Sequence, residues 1–325
     1  MTNAVAILEH TEAGQLAPWE QKAQQQAHDY ARASRAASTI RGYRSDWGHF
    51  SEWCDERGLT SLPADPNTIC LYLSVLAEAL KVGSLQRRVS AICGAHEAVN
   101  LESPTRTSAV RAVLAGIRRV KGVAQLQKAP VLTQNLRQMV SALPDGLLGV
   151  RDRALLLLGF AGAFRRSELV ALNVGDLMFS DDGLTVLIRR SKTDQEGVGR
   201  KVGVPYGSNP DTCPVRAVRA WLEAASIVDG PIFRSVNRHN HVQPGRLSDK
   251  AVAIAVKRAV RSVGLDAGQY SGHSLRAGLV TSAAVAGVSE RLIMRQTGHK
   301  SFNVLLRYVR DASLFRENAA ARVGL

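Results

Sequence analysis

Six residues of this chain have types and spacing that could do chemistry together: Arg165, Lys192, His273, Arg276, His299 and Tyr308. They stand in four short stretches of the C-terminal half. These read Ala163-Phe164-Arg165-Arg166-Ser167-Glu168-Leu169, Arg190-Ser191-Lys192-Thr193, Ser271-Gly272-His273-Ser274-Leu275-Arg276, and Thr297-Gly298-His299 followed by Tyr308. A phosphodiester under nucleophilic attack spreads negative charge over its non-bridging oxygens as phosphorus becomes five-coordinate. Guanidinium groups suit that charge because they are planar, always ionised and donate parallel hydrogen bonds. Each fixed donor of this kind contributes on the order of 3 kcal/mol. Arg165 and Arg276 are the candidates for such a clamp. His273 lies one helical turn before Arg276 on the same face, so one side chain can grip an oxygen while the other handles a proton.

The remaining residues fill the other roles. Lys192 follows an apolar strand pattern and precedes a Gly/Asp turn. Its ammonium can protonate a leaving alkoxide, which arginine does poorly. Tyr308 as nucleophile would form a covalent phosphotyrosine and split one hard transfer into two easier ones. A free phenol has a pKa of about 10, so nearby cations must help remove its proton. His299, after Gly298, could hydrogen-bond the phosphate. Glu168 has two readings: an ordinary ion pair with a neighbouring arginine, or a carboxylate that orients His273 or Arg165. Singly, each residue has an ordinary alternative: a surface His-x-x-Arg, a hairpin lysine, a core tyrosine. Together they point to transfer on a phosphodiester without a metal. No carboxylate or cysteine stands at ligand spacing from the two histidines, so neither a metal nor a cofactor is expected.

Helical and strand periodicities place these residues. Residues 154–164 are apolar all round and predict a central buried helix. Leu184, Val186 and Ile188 alternate with Thr185, Leu187 and Arg189, which predicts a strand. Asp194–Gly199 reads as a turn before a returning strand marked by Val202 and Val204. Thr133 is the expected N-cap of the first helix of this half, and the chain is mostly helical again after Pro214. The N-terminal half reads differently. Ile40, Tyr43, Trp47, Phe50 and Cys54 form one apolar stripe, closed by Gly58. A second helix follows Asp65-Pro66, with Ile69, Leu73, Leu76 and Leu80 inward. A third begins at Ser84, with Leu85, Val89, Ile92 and Val99 inward. A fourth begins near Ser108, with Val110, Val113, Leu114 and Ile117 inward. The Gln/Ala-rich stretch from Pro18 to Ser34 has helical propensity but a thin apolar face.

Composition narrows the partner. The chain has 325 residues, 45% hydrophobic content, a formal charge of +14 and a pI near 10.2. That length supports two cores, and that charge favours a polyanion, most commonly nucleic acid. From Lys81 to Lys128 there are nine Lys/Arg against Glu97 and Glu102, whereas Met1 to Leu80 is net acidic. The longest apolar run, Ala154 to Phe164, is too short to span a bilayer, and no secretion signal is visible. Cys54, Cys70, Cys93 and Cys213 read as reduced core residues of a cytoplasmic protein.

In order and spacing these motifs resemble the tyrosine site-specific recombinases of the phage-integrase family. The resemblance runs from about Ser38 to about Arg316. It is nearest the Cre type through Tyr270-Ser271-Gly272-His273-Ser274, through Ala286-Gly287-Val288-Ser289 and through the helical N-terminal half. Cre-like enzymes can carry tryptophan at the position of His299, where most of the family carries histidine. The resemblance implies a mainly α fold: an N-terminal four- or five-helix core-binding domain and a C-terminal mostly helical catalytic domain with a small antiparallel β-sheet. The domains implied are a partly disordered extension (1–37), a core-binding, SAM-like DNA-binding domain (38–121), a linker (122–130) and a catalytic domain with its tail (131–325).

The catalytic set implied is Arg165, Lys192, His273, Arg276, His299 and Tyr308, with Glu168 in support. The partner implied is double-stranded DNA with paired inverted half-sites, held by a homotetramer on two sites in a C-shaped clamp. Tyr308 would leave a 3′-phosphotyrosine and a free 5′-hydroxyl, and two rounds would pass through a Holliday junction without ATP or metal. DNA-contact candidates are Arg41, Arg44, Gln86, Arg87, Arg88, Arg118, Arg119 and Lys121. Of these, Gln86, Arg87 and Arg88 either reach the major groove or touch phosphate only. Leu314, Phe315 and Val323 suit docking of the tail on a neighbouring protomer or on its own domain. The setting implied is cytoplasmic and nucleoid-associated, with no membrane. A relaxing type IB topoisomerase and a catalytically idle DNA-binding protein are the competing readings.

Overall fold

The computed structural model describes residues 17–122, 127–191, 194, 196–299 and 301. The chain forms two compact units that divide between Leu126 and Gln127.

The first unit is helical: α1 (Pro18–Ala33), α2 (Ala37–Asp55), α3 (Pro66–Ala77), α4 (Val82–Glu97) and α5 (Ser108–Lys121). The thin face of α1 leaves Trp19 and Tyr30 exposed. The Asp65 carboxylate starts α3 by accepting the Asn67 N–H at 2.7 Å, with Pro66 in the first turn. α2 packs on α4 and α3 on α5, which buries Phe50, Cys54, Ile69, Leu73, Leu85, Ile92 and Val110. Tyr72 sits at the centre, edge-on to Phe50 at 4.9 Å and to Trp53 at 5.2 Å. The α4 stripe is shorter than its sequence pattern. Val99 is about half exposed, because α4 stops at Glu97 and the chain reverses through Asn100, at φ +57°.

The second unit contains α6 (Thr133–Ser141), α7 (Leu147–Ala161), α8 (Arg166–Ala171), α9 (Pro214–Ala224), α10 (Asp249–Ser262), α11 (Ser274–Val285) and α12 (Glu290–Thr297). α7 is buried on every face from Ala154 to Phe160 and packs on α9 and α11. Strands β1 (Leu177–Ser180), β2 (Gly183–Ile188) and β3 (Arg200–Pro205) form one antiparallel sheet in that order. Val186 pairs with Val202 and Leu184 with Val204, so the expected inward valines face one core. A second small sheet, β4 (Arg234–Val236) with β5 (Val242–Arg246), lies in a stretch the sequence pattern left helical.

Thr133 is not the cap of α6. It is the first helical residue, and its N–H is accepted by the Ser282 hydroxyl of α11 at 3.3 Å. The residues just before α6 are tied to the same region: the Ala129 N–H bonds the Gln269 carbonyl at 2.8 Å and the Val131 N–H bonds the Ser274 carbonyl at 2.9 Å. The architecture is mainly α with small antiparallel sheets.

Candidate active site

Three elements converge on one cluster of cations. α7 ends at Gly162, and Ala163 takes φ +49°, a left-handed conformation that costs about 1–2 kcal/mol for a residue with a side chain. This turn points the Ala163 carbonyl at α11, where it accepts a 2.6 Å hydrogen bond from the Arg276 guanidinium. Arg276 is almost wholly buried.

Two residues beyond Ala163, Arg165 caps the N-terminus of α8. Glu168 Oε2 accepts the Arg165 backbone N–H at 2.9 Å, and Oε1 accepts its guanidinium at 2.5 Å. The two readings of Glu168 therefore merge: the carboxylate is an ion-pair partner, and the residue it orients is Arg165. It is buried, so the guanidinium is held by a partner that solvent does not screen.

His273 stands at the N-terminus of α11, where its N–H bonds the Ser271 hydroxyl at 3.2 Å. Ser271 and Ser274 clasp this turn through reciprocal bonds of 2.9 Å. Desolvation lowers the His273 pKa first, and Arg276, Arg165 and Arg166 lower it further. The ring is open to solvent, so hydration screens part of that shift. His299 follows α12 and the left-handed Gly298. Burial, then Arg276, Arg165, His273 and Arg200, pushes its pKa down to about 4. Arg165, His273, Arg276 and His299 thus share one local field. Lys192 and Tyr308 lie outside the described residues, as do the apolar tail residues Leu314, Phe315 and Val323. Ser191 and Asp194, which flank the lysine, bridge each other through two backbone hydrogen bonds of 3.3 and 3.1 Å. Among the described residues no His, Cys, Asp and Glu side chains group as metal ligands would.

The small residues around His273 make room for protein atoms. A side chain at Gly272 would strike the stem of Arg166, 2.2 Å away, and one at Gly278 would strike the Val131 carbonyl oxygen at 1.9 Å. Arg166 itself lies 3.8 Å from Asp249.

Sequence reasoning missed Arg200. This arginine of β3 is three-quarters buried and lies 3.9 Å from Glu168 Oε2. It donates to the Gln296 carbonyl at 3.1 Å, in the last turn of α12. Its guanidinium lies against Gly298, where a Cβ would meet Nε at 2.9 Å. Burial pushes its pKa below the usual arginine value, Glu168 opposes this, and Arg165 adds to it. The signal was present: strand alternation puts Arg200 on the face of Val202 and Val204, a cation on an inward face.

The candidates of the first unit are dispersed. Arg41 and Arg44 are exposed on α2. Arg87 makes a bidentate pair with the buried Asp46, at 2.6 and 3.0 Å. With its amide turned to satisfy both partners, Gln86 accepts two bonds from Arg118, at 2.6 and 3.1 Å. Arg119 is exposed. Arg88 turns inward and donates to the Tyr72 hydroxyl at 2.6 Å. Lys121 reaches the carbonyls that follow α3, including Leu80 at 3.3 Å. These last two side chains serve the helical packing.

Comparison with known proteins agrees with this fold. The sequence profile of the phage integrase family matches residues 131–314, and the chain belongs to that family. It is a tyrosine recombinase, an enzyme of DNA recombination. It is 42% identical over 294 residues to an integrase/recombinase XerD homolog of Selenomonas ruminantium, covering 89% of this chain and 86% of the relative. It is 26% identical to the Cre recombinase of Escherichia phage P1, covering 81% and 80% of the two chains. Among solved structures, the post-cleavage complex of the XerH recombinase with its palindromic difH substrate matches the fold. Its TM-score is 0.63 at 17% identity, over 92% of this chain and 84% of that one. A lambda integrase tetramer bound to a Holliday junction matches with a TM-score of 0.56 at 18% identity, over 90% of this chain and 78% of that one.

Proposed function

We propose that this enzyme cuts and rejoins double-stranded DNA by attack of the Tyr308 phenol on one phosphodiester, leaving a 3′-phosphotyrosine and a 5′-hydroxyl. The observation that carries the reading is the cation cluster: among the described residues, the Arg165 and Arg200 guanidiniums flank one buried carboxylate, Glu168, and Arg276 joins both arginines in the field that acts on His299. Guanidiniums gathered beside two imidazoles whose charged forms are disfavoured suit an anionic phosphodiester.

In this reading Arg165 and Arg276 hold the non-bridging oxygens, Glu168 fixes Arg165, and His273 and His299 handle protons or the phosphate. Lys192 protonates the leaving 5′-oxygen. The free hydroxyl of a second strand then reverses the attack, so the bond energy stays in the phosphotyrosine and neither ATP nor a metal enters. Residues 38–121 would bind the half-site through Arg41, Arg44, Gln86, Arg87, Arg118 and Arg119, and residues 131–325 would carry out the chemistry. The XerH complex with its difH substrate and the lambda integrase tetramer on a Holliday junction support an assembly of four protomers on two paired half-sites, exchanging strands through such a junction.

The test uses nicked duplexes built on short inverted repeats flanking the gene. Wild-type protein should be trapped covalently, and Tyr308→Phe should leave no trapped band. An adduct formed by the Phe variant would assign the nucleophile elsewhere. Relaxation of supercoiled DNA lacking any such site, with no strand exchange, would favour a topoisomerase.

A further inference from the structure

β3 lies at the edge of its three-stranded sheet, and the last turn of α12 is tied to it from both sides. The Arg200 Nη1 donates to the Gln296 carbonyl at 3.1 Å. In return, the Gln296 side-chain amide donates to the Gly203 carbonyl of β3 at 3.1 Å and to the Ala161 carbonyl at the end of α7 at 2.9 Å. An amide NH2 has two hydrogens, so both are used. Thr297, next in the chain, is fully buried, and its hydroxyl lies 2.8 Å from His299 Nδ1. Gly298 then lies against the Arg200 stem and guanidinium. The three residues before His299 are therefore all held, and Arg200 touches two of them.

The second nitrogen of this guanidinium points elsewhere. Nη2 is buried, makes no hydrogen bond among the described residues and lies 3.9 Å from Glu168 Oε2. A buried donor without a hydrogen bond costs stability, and an apolar side chain of similar length would not carry that cost. Packing alone therefore does not account for an arginine here. We infer, resting on the cleavage reading above, that Arg200 is a positioning residue: one nitrogen grips the turn that presents His299, and the other faces the carboxylate that holds Arg165. It acts through His299 rather than on the phosphodiester. The clasp fixes where the imidazole stands relative to Arg165, whichever proton or oxygen the ring then serves.

Single-turnover cleavage of a nicked duplex, started from pre-bound DNA, tests this. Arg200→Met keeps the stem and removes the donors, so adduct formation should slow about 100-fold, the scale of a displaced catalytic group. DNA affinity should hold, which separates a rate effect from a binding effect. In a His299→Ala background the same change should cost less than about threefold, because the group it positions is gone. Equal losses in the two backgrounds, or a wild-type rate in Arg200→Met, overturn the inference. Arg200→Lys keeps the charge but reaches only one of the two partners, so it should lose about 10-fold. That loss should also vanish without His299, and this variant carries the same cycle if the Met variant does not fold. If Tyr308→Phe still forms the adduct, the cleavage reading fails, while the coupling of positions 200 and 299 is still read from the rate of that adduct.

Discussion

Asp46 and Glu168 hold matching positions in the two units: each is a buried carboxylate between two guanidiniums. Asp46 pairs with Arg87 and lies 4.0 Å from Arg88. Glu168 pairs with Arg165 and lies 3.9 Å from Arg200. The surroundings differ. Beside Asp46, Arg88 leans on Tyr72 and Arg87 is more than half exposed, so the pair joins α4 to α2 and its outer member is screened by solvent. Near the Glu168 pair, Arg165 and Arg276 both act on the two imidazoles, whose pKa values are lowered first by burial. One motif braces a helix bundle; the other, in the proposed reading, serves the binding of an anion. The surroundings of the ion pair, rather than the pair itself, separate the two.

Four measurements bear on that contrast. The widest separation should come from Glu168→Gln against Asp46→Asn. The first frees Arg165 and removes a charged acceptor from the start of α8, so single-turnover cleavage should fall about 100-fold, on the scale of one lost transition-state donor. The second should cost about 1–2 kcal/mol in the N-terminal unit, seen by denaturant titration, and leave the cleavage rate of pre-bound DNA within about threefold. Equal losses of rate would erase the distinction.

Next comes a glycine of the second unit. Gly278 in α11 has no room beside the Val131 carbonyl, so Gly278→Ala should destabilise the C-terminal unit by about 3 kcal/mol.

A smaller effect should appear on acidification. The folded pKa of His299 lies at about 4, below its ordinary 6.5. The unfolded chain therefore binds more protons between those values, and the stability of the C-terminal unit is full above about pH 6.5 and falls as pH drops through about 4. His273 acts in the same direction. Calorimetry across this window should show a weaker decline in His299→Gln, and an unchanged slope would contradict the burial of His299.

The smallest effect belongs to Gly116 in α5, which has open space around it. Gly116→Ala should raise the stability of the first unit by about 0.5–1 kcal/mol.

Much of this was legible in the chain. The stripes of α2, α3 and α5, the all-apolar α7 and the β2–β3 alternation follow from periodicity, because each element buries one continuous face. The convergence of Arg165, His273, Arg276 and His299 was legible only as a combination, since they come from distant stretches. What failed were features set by tertiary partners. Val99 continued a helical stripe, yet the helix stops before it. Thr133 had the right type for a cap, but Ser282 from another helix supplies the acceptor. The β4–β5 pair is short, and Pro244 and Gly245 break its pattern. Arg88 looked like a surface cation until Tyr72 took it inward, and Arg200 looked like an ordinary strand arginine.

The contact between Arg200 and Gly298 has a consequence for anyone diversifying this enzyme. The guanidinium fills the volume that a methyl at 298 would occupy, and the left-handed backbone there already restricts the choice to glycine or asparagine. Position 200 has apparent freedom that position 298 lacks. A smaller residue at 200 would open a void beneath the turn that presents His299 and give a side chain at 298 room it now lacks. Libraries that randomise position 298 alone would therefore record it as intolerant, whereas sampling 200 and 298 jointly gives the compensated combinations a chance to emerge.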